Sequence, residues 1–514
     1  MKKICRVLVT LMFIFLVGCS NSSTKYKSNS KEVYMKNRVT YFEDYGYPQP
    51  TMKVGMALPY LQATSHMKTG KFLNRYSEKK ILDFFKDLDV KGYGDNSYYW
   101  RWYFTIDKDT YSRGIGKALA QASKSRYNRV YTLYNGKWIY KNLNYNSLGT
   151  LKDIIVMERG KSGVVTYLVI KGSNGTYLLK GEYTVRKVLG LNRENLGKRI
   201  ELHLSKSGTG GYSKKVSLKN PNLLLSGFLA IEKKGDNFNI YGGGYGHGVG
   251  MSQYGANDLA KNYGYSYSKI LKTYYKEITF KNMYRINGVS KNIRVGLTTT
   301  GFGSLDHTSL TMFSTSKAEI WNGWMKIKLS PRDKIKVIAN GRRQILYVNG
   351  KKRVETIGQL NFKSSNKKFV ITSIRRAQRE TRYPIYRGKI ETHLSKTNAH
   401  RIRVINEVYL EDYLVQVVPS EMPKGFGLEA LKAQAIAART YALNDYLKAK
   451  YKKEGFHVRD DTYSQVYNRI DTNEDTIKAV KSTYGKVMLY NGKPIDAKYY
   501  STSCGYGASS QNVW

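Results

Sequence analysis

Cysteine is nearly absent. Three occur in 514 residues, at positions 5, 19 and 504, and the first two lie in or beside an apolar leader. With Cys504 the only thiol beyond that leader, an intrachain disulfide framework is excluded, as is a zinc site of the usual paired-thiolate kind. Histidine is scarce as well: seven are scattered through the chain, none in a His-x-x-x-His pair. Acidic residues are few, 38 against 86 Lys and Arg, which leaves a formal net charge of +48. A field of that size attracts polyanions and anionic surfaces and says little about fold. Short solenoid-type repeats are missing too. The length calls for more than one core, about two to four domains.

The chain also lacks a long apolar run. Val7–Val17 is too short to span a bilayer with ease. Behind the basic start Met1-Lys2-Lys3 it reads as an export signal. Leu16-Val17-Gly18-Cys19 resembles a bacterial lipoprotein box, in which Cys19 becomes the lipidated first residue. The expected layout is a signal peptide over 1–19 and a Ser-, Lys- and Asn-rich tether over 20–45. The lipid, helped by the positive charge, would hold the protein at the outer surface of the cytoplasmic membrane. Export argues against nucleic acid as a partner.

Beyond the tether the chain is mixed in character, and the expected class is α+β. Apolar residues recur at helical spacing in "EKKILDFFKDL" (78–88), while "VVTYLVIKG" (164–172) and "GTYLLKGEYTV" (175–185) read as strands joined at Ser173-Asn174. A glycine-rich segment, "YGGGYGHGVGMSQYGANDLAKNYG" (241–264), passes into a helix over 267–278. From about 285 short strands alternate with turn signals, as in "DKIKVIANG" and "RQILYVNGK". Three regions are expected after the tether: 46–283, a β-rich subdomain over 284–400, and 401–514.

The last region holds the stretch "VVPSEMPKGFGLEALKAQAIAARTYAL" (417–443). Pro419 and Pro423 restrict the backbone on both sides of Glu421, so Glu421 is expected to project from a stiff loop. An alanine-rich helix follows over about 427–449. Read locally, Glu421 is either a general acid whose pKa is raised by apolar walls or a carboxylate favoured near a helix N-terminus.

"INEVYLEDYLVQVVPSEMPKGFGLEALKAQAIAARTYAL", with "DTYSQVY" (461–467) and "AVKSTYGKVMLYNGKPIDAKYYSTSCG" (479–505), closely resembles the signature of the SpoIID/LytB family. Its members are stage II sporulation protein D-like lytic transglycosylases and relatives described as amidase enhancers. The glycine-rich segment and "SGVVTYLVIKGSNGTYLLKGEYTVRKVLGL" (162–191) resemble the part that closes the same domain. The order is reversed. The usual opening half lies at about 290–514 and the usual closing half at about 50–280. The Pro-Tyr-Leu element expected after Trp514 stands instead at Pro59-Tyr60-Leu61. A circular permutation accounts for this order more simply than two tandem copies with complementary truncations.

The resemblance implies cleavage of the β-1,4 bond between N-acetylmuramic acid and N-acetylglucosamine, with Glu421 as acid and then base and a 1,6-anhydro end as product. It implies no cofactor. An ordinary glycosidase needs two carboxylates; attack by the sugar's own C6 hydroxyl needs one. Arg439 is expected either to steer a glycan carboxyl or to brace a strand. Gln465 and Tyr467 are candidates for bonding acetamido groups, with Tyr500, Ser501 and Ser503 in a similar polar turn. His247, Gln253 and Tyr254 occupy the glycine-rich segment, where bare backbone allows a ligand close. Cys504 has no neighbouring His or second Cys in the sequence, so no metal is expected. The implied partners are peptidoglycan glycan strands, the membrane through the lipid anchor, and a wall amidase or other remodelling protein. The rivals are a non-catalytic glycan-binding enhancer of an amidase and a surface lipoprotein that binds polyanions by charge alone. The 284–400 region carries no assigned role, and the biological setting, sporulation or other wall remodelling, stays open.

Overall fold

The computed structural model describes residues 38–50, 55–67, 72–125, 129–216, 222–323, 325–376, 383–423, 425–467 and 473–514. The leader, Cys19 and the tether up to residue 37 lie outside the described residues. The expected tether boundary at residue 45 falls inside folded structure. Arg38–Thr40 already pairs with Leu151–Gly160, and Phe42 is buried edge-on against Tyr167, ring centres 5.8 Å apart. Among the described residues no helix is long and apolar enough to cross a membrane.

The chain is a mixed α+β protein that divides into two compact units. The first takes the described residues up to Asp258 together with Thr273–Lys276 and Tyr499–Trp514. It contains a six-stranded antiparallel sheet built around the hairpin Val165–Gly172/Thr176–Lys180 and a five-stranded one centred on Arg101–Asp107. Residues of both sheets, with Tyr111, Ile115 and Leu119 of the helix Lys108–Ser123, form one apolar core. That helix starts at Asp107, whose side chain accepts the Thr110 N–H. The second strand of the hairpin stops at Lys180, short of the expected residue 185. Gly181 (φ +86°) turns the chain, and Glu182–Val188 is helical. The chain's last residues are built into this unit. Leu58 N donates to Ser510 Oγ at 2.8 Å, Ser510 Oγ donates to Met56 O at 2.9 Å, and Thr64–Ser65 pairs with Tyr506–Gly507.

The second unit takes Leu259–Lys272 and Glu277–Lys498. The expected β-rich stretch contributes to two sheets here. One has eight strands, seven in a row and one paired to the side, and includes Asn292–Leu297, Lys389–Leu394 and Ile402–Tyr409. The other has six: Lys351–Thr356, Arg343–Val348, Ile335–Asn340, Ser309–Phe313, Lys368–Ile371 and Ile385–Arg387. Two helices, Leu410–Glu421 and Leu428–Leu447, complete the part that carries the candidate acid. The longer helix is buried on nearly all sides, and its alanines at 430, 433, 435, 437, 438 and 442 let neighbours approach its backbone closely.

Candidate active site

Glu421 does not sit in a loop, as the flanking prolines suggest. It is the last residue of the helix Leu410–Glu421, which runs through Pro419. A proline there removes one helical bond, to the Val415 carbonyl, in a turn that is about to end. Ser420 Oγ adds a bond to Gln416 O at 2.8 Å, and Met422 N closes the helix on Val418 O at 2.9 Å. The stop comes from Pro423, which disfavours helical geometry in the residue before it. Met422 is extended accordingly, at φ −119° and ψ 135°.

The carboxylate is oriented from a second element. Val466 N donates to Glu421 Oε1 at 2.8 Å. The residues either side of Val466 fix that N–H. Gln465 Oε1 accepts from Tyr413 OH at 3.1 Å, and Gln465 Nε2 donates to Ala438 O at 3.2 Å. Tyr467 OH donates to Asn406 Oδ1 at 3.1 Å, and its N–H reaches Asp460 O at 3.0 Å. Both side chains are buried. Gln465 and Tyr467 are therefore corrected from acetamido contacts to clamps on the loop that meets Glu421.

Arg439 is corrected in the same way, toward the bracing role. Its guanidinium is fully enclosed, with Nε and Nη2 on Glu411 at 2.9 and 2.6 Å and Nη1 on Lys486 O at 3.1 Å. Glu411 also accepts from Tyr284 OH at 3.2 Å and Gly485 N at 3.1 Å. Glu411 lies in the first turn of the helix whose last residue is Glu421, so this pair pins that helix to Leu428–Leu447 and to the strand Lys486–Tyr490. A buried pair with its remaining hydrogen bonds satisfied gives orientation more than stability.

Two tyrosines that feel the charge of Glu421, and an aspartate that both of them feel, are not evident from the sequence. Tyr413 and Tyr441 are buried, and their phenols are pushed up first by that burial. Tyr467, Glu421 and Asp445 add to the effect at Tyr413; Asp445, Asp496 and Glu421 add to it at Tyr441. Asp445 is 4 % exposed, and burial raises its carboxyl against the pull of Lys450 and Lys498. The available signal was spacing. Tyr441 and Asp445 stand at i and i+4 on one helix, and Tyr413 lies about two turns before Glu421 on another.

The other predicted residues belong to the first unit. Gly244 (φ +84°) and Gly246 (φ +119°) turn the glycine-rich segment against Thr502–Ser503 and Tyr500 respectively; a Cβ on Gly246 would lie 2.7 Å from Tyr500 Cβ. Tyr500 and Ser503 are buried there, which corrects their expected role as substrate contacts. Ser503 Oγ bonds His66 Nδ1 at 2.7 Å, and Thr64 Oγ1 bonds His66 Nε2 at 2.9 Å. Gln253 is buried as well. His247, Tyr254 and Ser501 are half-buried; His247 Nδ1 accepts from Val249 N at 3.1 Å, and Tyr254 N donates to Ser501 O at 3.0 Å. One exposed side chain at the glycine turns is one that no sequence signal singled out. Tyr245, 41 % exposed, is clamped through its backbone to Thr502 and stands 4.7 Å from the ring of Tyr99. Cys504 is buried, which pushes its thiol up to about 12. Among the described residues no three His, Cys, Asp or Glu side chains gather as a metal site.

Residues 398–490 match the family model described as Stage II sporulation protein, SpoIID. Over 98 residues the chain is 47 % identical to an amidase enhancer of Bacillus subtilis (strain 168), which covers 19 % of this chain and 13 % of that protein. Over 124 residues it is 38 % identical to stage II sporulation protein D of the same organism, covering 21 % and 36 %. A protein of Brachyspira hyodysenteriae described as uncharacterized is 43 % identical over 113 residues, covering 22 % and 30 %. The matches thus span well under half the length of each of these relatives.

Proposed function

From the match of residues 398–490 to the SpoIID family model we propose that this chain is a peptidoglycan lytic transglycosylase with Glu421 as its acid and base. The observation that carries the reading is a carboxylate at the end of a pinned helix, with one oxygen on the N–H of Val466. Protonated, Glu421 delivers its proton to the glycosidic oxygen as the bond to the N-acetylmuramic acid anomeric carbon breaks. The resulting carboxylate takes the proton of that sugar's C6 hydroxyl as its oxygen closes on the anomeric carbon. Protons balance, no water is consumed, and a 1,6-anhydro end is left. A group that must give and then recover one proton gains from being held in one orientation between the two steps.

Mass analysis of the products from purified glycan strands tests this. Intact protein is expected to release anhydro-ended fragments. Glu421→Gln keeps the size and loses the proton, and should lower the rate by ~10²–10⁴-fold while still binding glycan. A variant within a few-fold of wild type, or products with reducing ends from both proteins, would reject the assignment. The identity to the amidase enhancer favours a second reading, a non-catalytic glycan binder that stimulates a wall amidase. That reading expects no fragments from either protein and faster release of stem peptides when an amidase is added.

A further inference from the structure

The six-stranded sheet of the second unit has one face in the core and one turned outward. Leu310, Met312, Ile335, Val337 and Leu346 are buried. Alternation along the strands puts Thr311, Phe313, Lys336, Ile338 and Tyr347 on the opposite side, where, with Lys334 just before its strand and the edges of Met312 and Ile335, they line a cavity of about 620 Å³. Register aligns the row. Thr311 faces Lys336, Lys336 faces Tyr347, and Tyr347 faces Lys352. Beside Thr311 a second hydroxyl joins from the next strand, with Thr311 Oγ1 and Thr372 Oγ1 2.8 Å apart.

The charges on this face are unevenly answered. Lys352 has Glu355 at 2.6 Å. Asp333, the acid adjacent to Lys334, is engaged by Asn349 Nδ2 and Ser330 N, both at 2.8 Å. Neither Lys334 nor Lys336 has an acidic partner among the described residues. Two unanswered ammonium groups thus border a floor made of Phe313, Ile338 and Tyr347. A bare polyelectrolyte has no use for such a floor. A sugar polymer does, since pyranose rings set C–H faces on aromatic rings and hydroxyls on threonines, and carboxylates on those rings would meet the lysines in charge-assisted bonds.

We propose that this sheet face is a second glycan site, for a carboxylate-bearing amino-sugar polymer held by Lys334 and Lys336 over Phe313 and Tyr347. It rests on the wall-glycan reading of the Glu421 site and gives the β-rich stretch a role the sequence left blank. The site contains no catalytic residue; it adds binding to chemistry done at Glu421.

The test is equilibrium binding to the full chain in the Glu421→Gln background, where turnover does not interfere. The probes are a muramic-acid-containing glycan, a neutral N-acetylglucosamine oligomer of equal length, and a poly(glycerol phosphate). The carboxylated glycan should bind tightest. Lys334→Glu with Lys336→Glu should weaken it roughly tenfold or more, the scale of losing a charge-assisted bond, and Tyr347→Ala should weaken it too. The same charge change at Lys452 and Lys453, exposed on another turn, should leave it within about twofold. Equal losses from both double variants would overturn the site in favour of the general field. Equal binding of the neutral oligomer, or preference for the phosphodiester polymer, would overturn the ligand class. If wild-type protein cuts no glycan yet lysine-dependent binding persists, the cleavage reading falls and this site stands.

Discussion

The helix-and-loop around Glu421 and the glycine-rich segment around His247 are built on opposite plans. The first is stiffened by charge. Arg439 and Glu411 form a buried pair, and a second enclosed pair, Arg376 with Asp460, holds the loop leading to Val466; Asp460 also takes the Thr298 N–H at 3.1 Å. The second segment is stiffened by backbone. Left-handed glycines, the paired Tyr245–Thr502 bonds and an uncharged His66–Ser503 contact do the same task with hardly an ion. In both, most of the polar residues that look like ligand contacts in the sequence are spent on the frame. The difference lies in what the frame presents: an oriented carboxylate in one, an open tyrosine in the other.

If charge holds the first frame, breaking it should cost the most. Arg439→Ala leaves Glu411 buried without its partner, a loss of about 3–5 kcal/mol. Denaturant unfolding of the intact protein should show a lower midpoint for the second unit, with glycan binding by the folded fraction unchanged. A variant of wild-type stability with weakened glycan binding would restore Arg439 as a contact and erase the contrast.

Acid should strike the uncharged frame. Burial first, then nearby Lys276, lowers His66 from 6.5 to about 3. Between those values the unfolded chain carries a proton that the folded one refuses, so stability rises with pH in that window. The contribution is complete above about pH 6.5 and is lost as pH falls to about 3, a span on the order of 3–5 kcal/mol. His307 and His457, at about 4, act in the same direction in the second unit. Unfolding midpoints from pH 7 to 4 should therefore fall less steeply for His66→Gln than for wild type; parallel slopes would show that His66 already titrates in the folded state.

A smaller effect sharpens the role of backbone. Gly246→Ala must place a side chain at φ +119° and against Tyr500, at a cost of about 1–3 kcal/mol. Thermal unfolding should report the loss in the first unit. An unchanged midpoint would mean that the segment yields, and that Tyr245 is not rigidly presented.

Much of this was legible in the chain. Periodicity placed the helix of 78–86 and the long alanine-rich helix within about two residues of their ends, because each is decided by local spacing and turn chemistry, but it carried the second strand of the hairpin five residues too far, past the turn at Gly181. The motif around Glu421 was enough to point to the family whose model matches residues 398–490. Glu421's own setting was misread because two prolines point to a loop, while packing of the helix before it outweighs the single bond that Pro419 removes.

What the sequence by itself determined is the inventory: one candidate acid in a family-like motif, one thiol beyond the leader and an excess of cations. Only the tertiary structure decided which polar groups face inward. Arg439, Gln465, Tyr467 and Ser503 are chemically as polar as any surface residue, and nothing local distinguishes a ligand contact from a brace. Their partners, Glu411, Ala438, Asn406 and His66, lie 27 to 437 positions away, and burial is a property of those meetings. The lysines of the sheet face follow the same logic. Alternation put Lys336 on one side, but only the fold left that side without an answering carboxylate among the described residues.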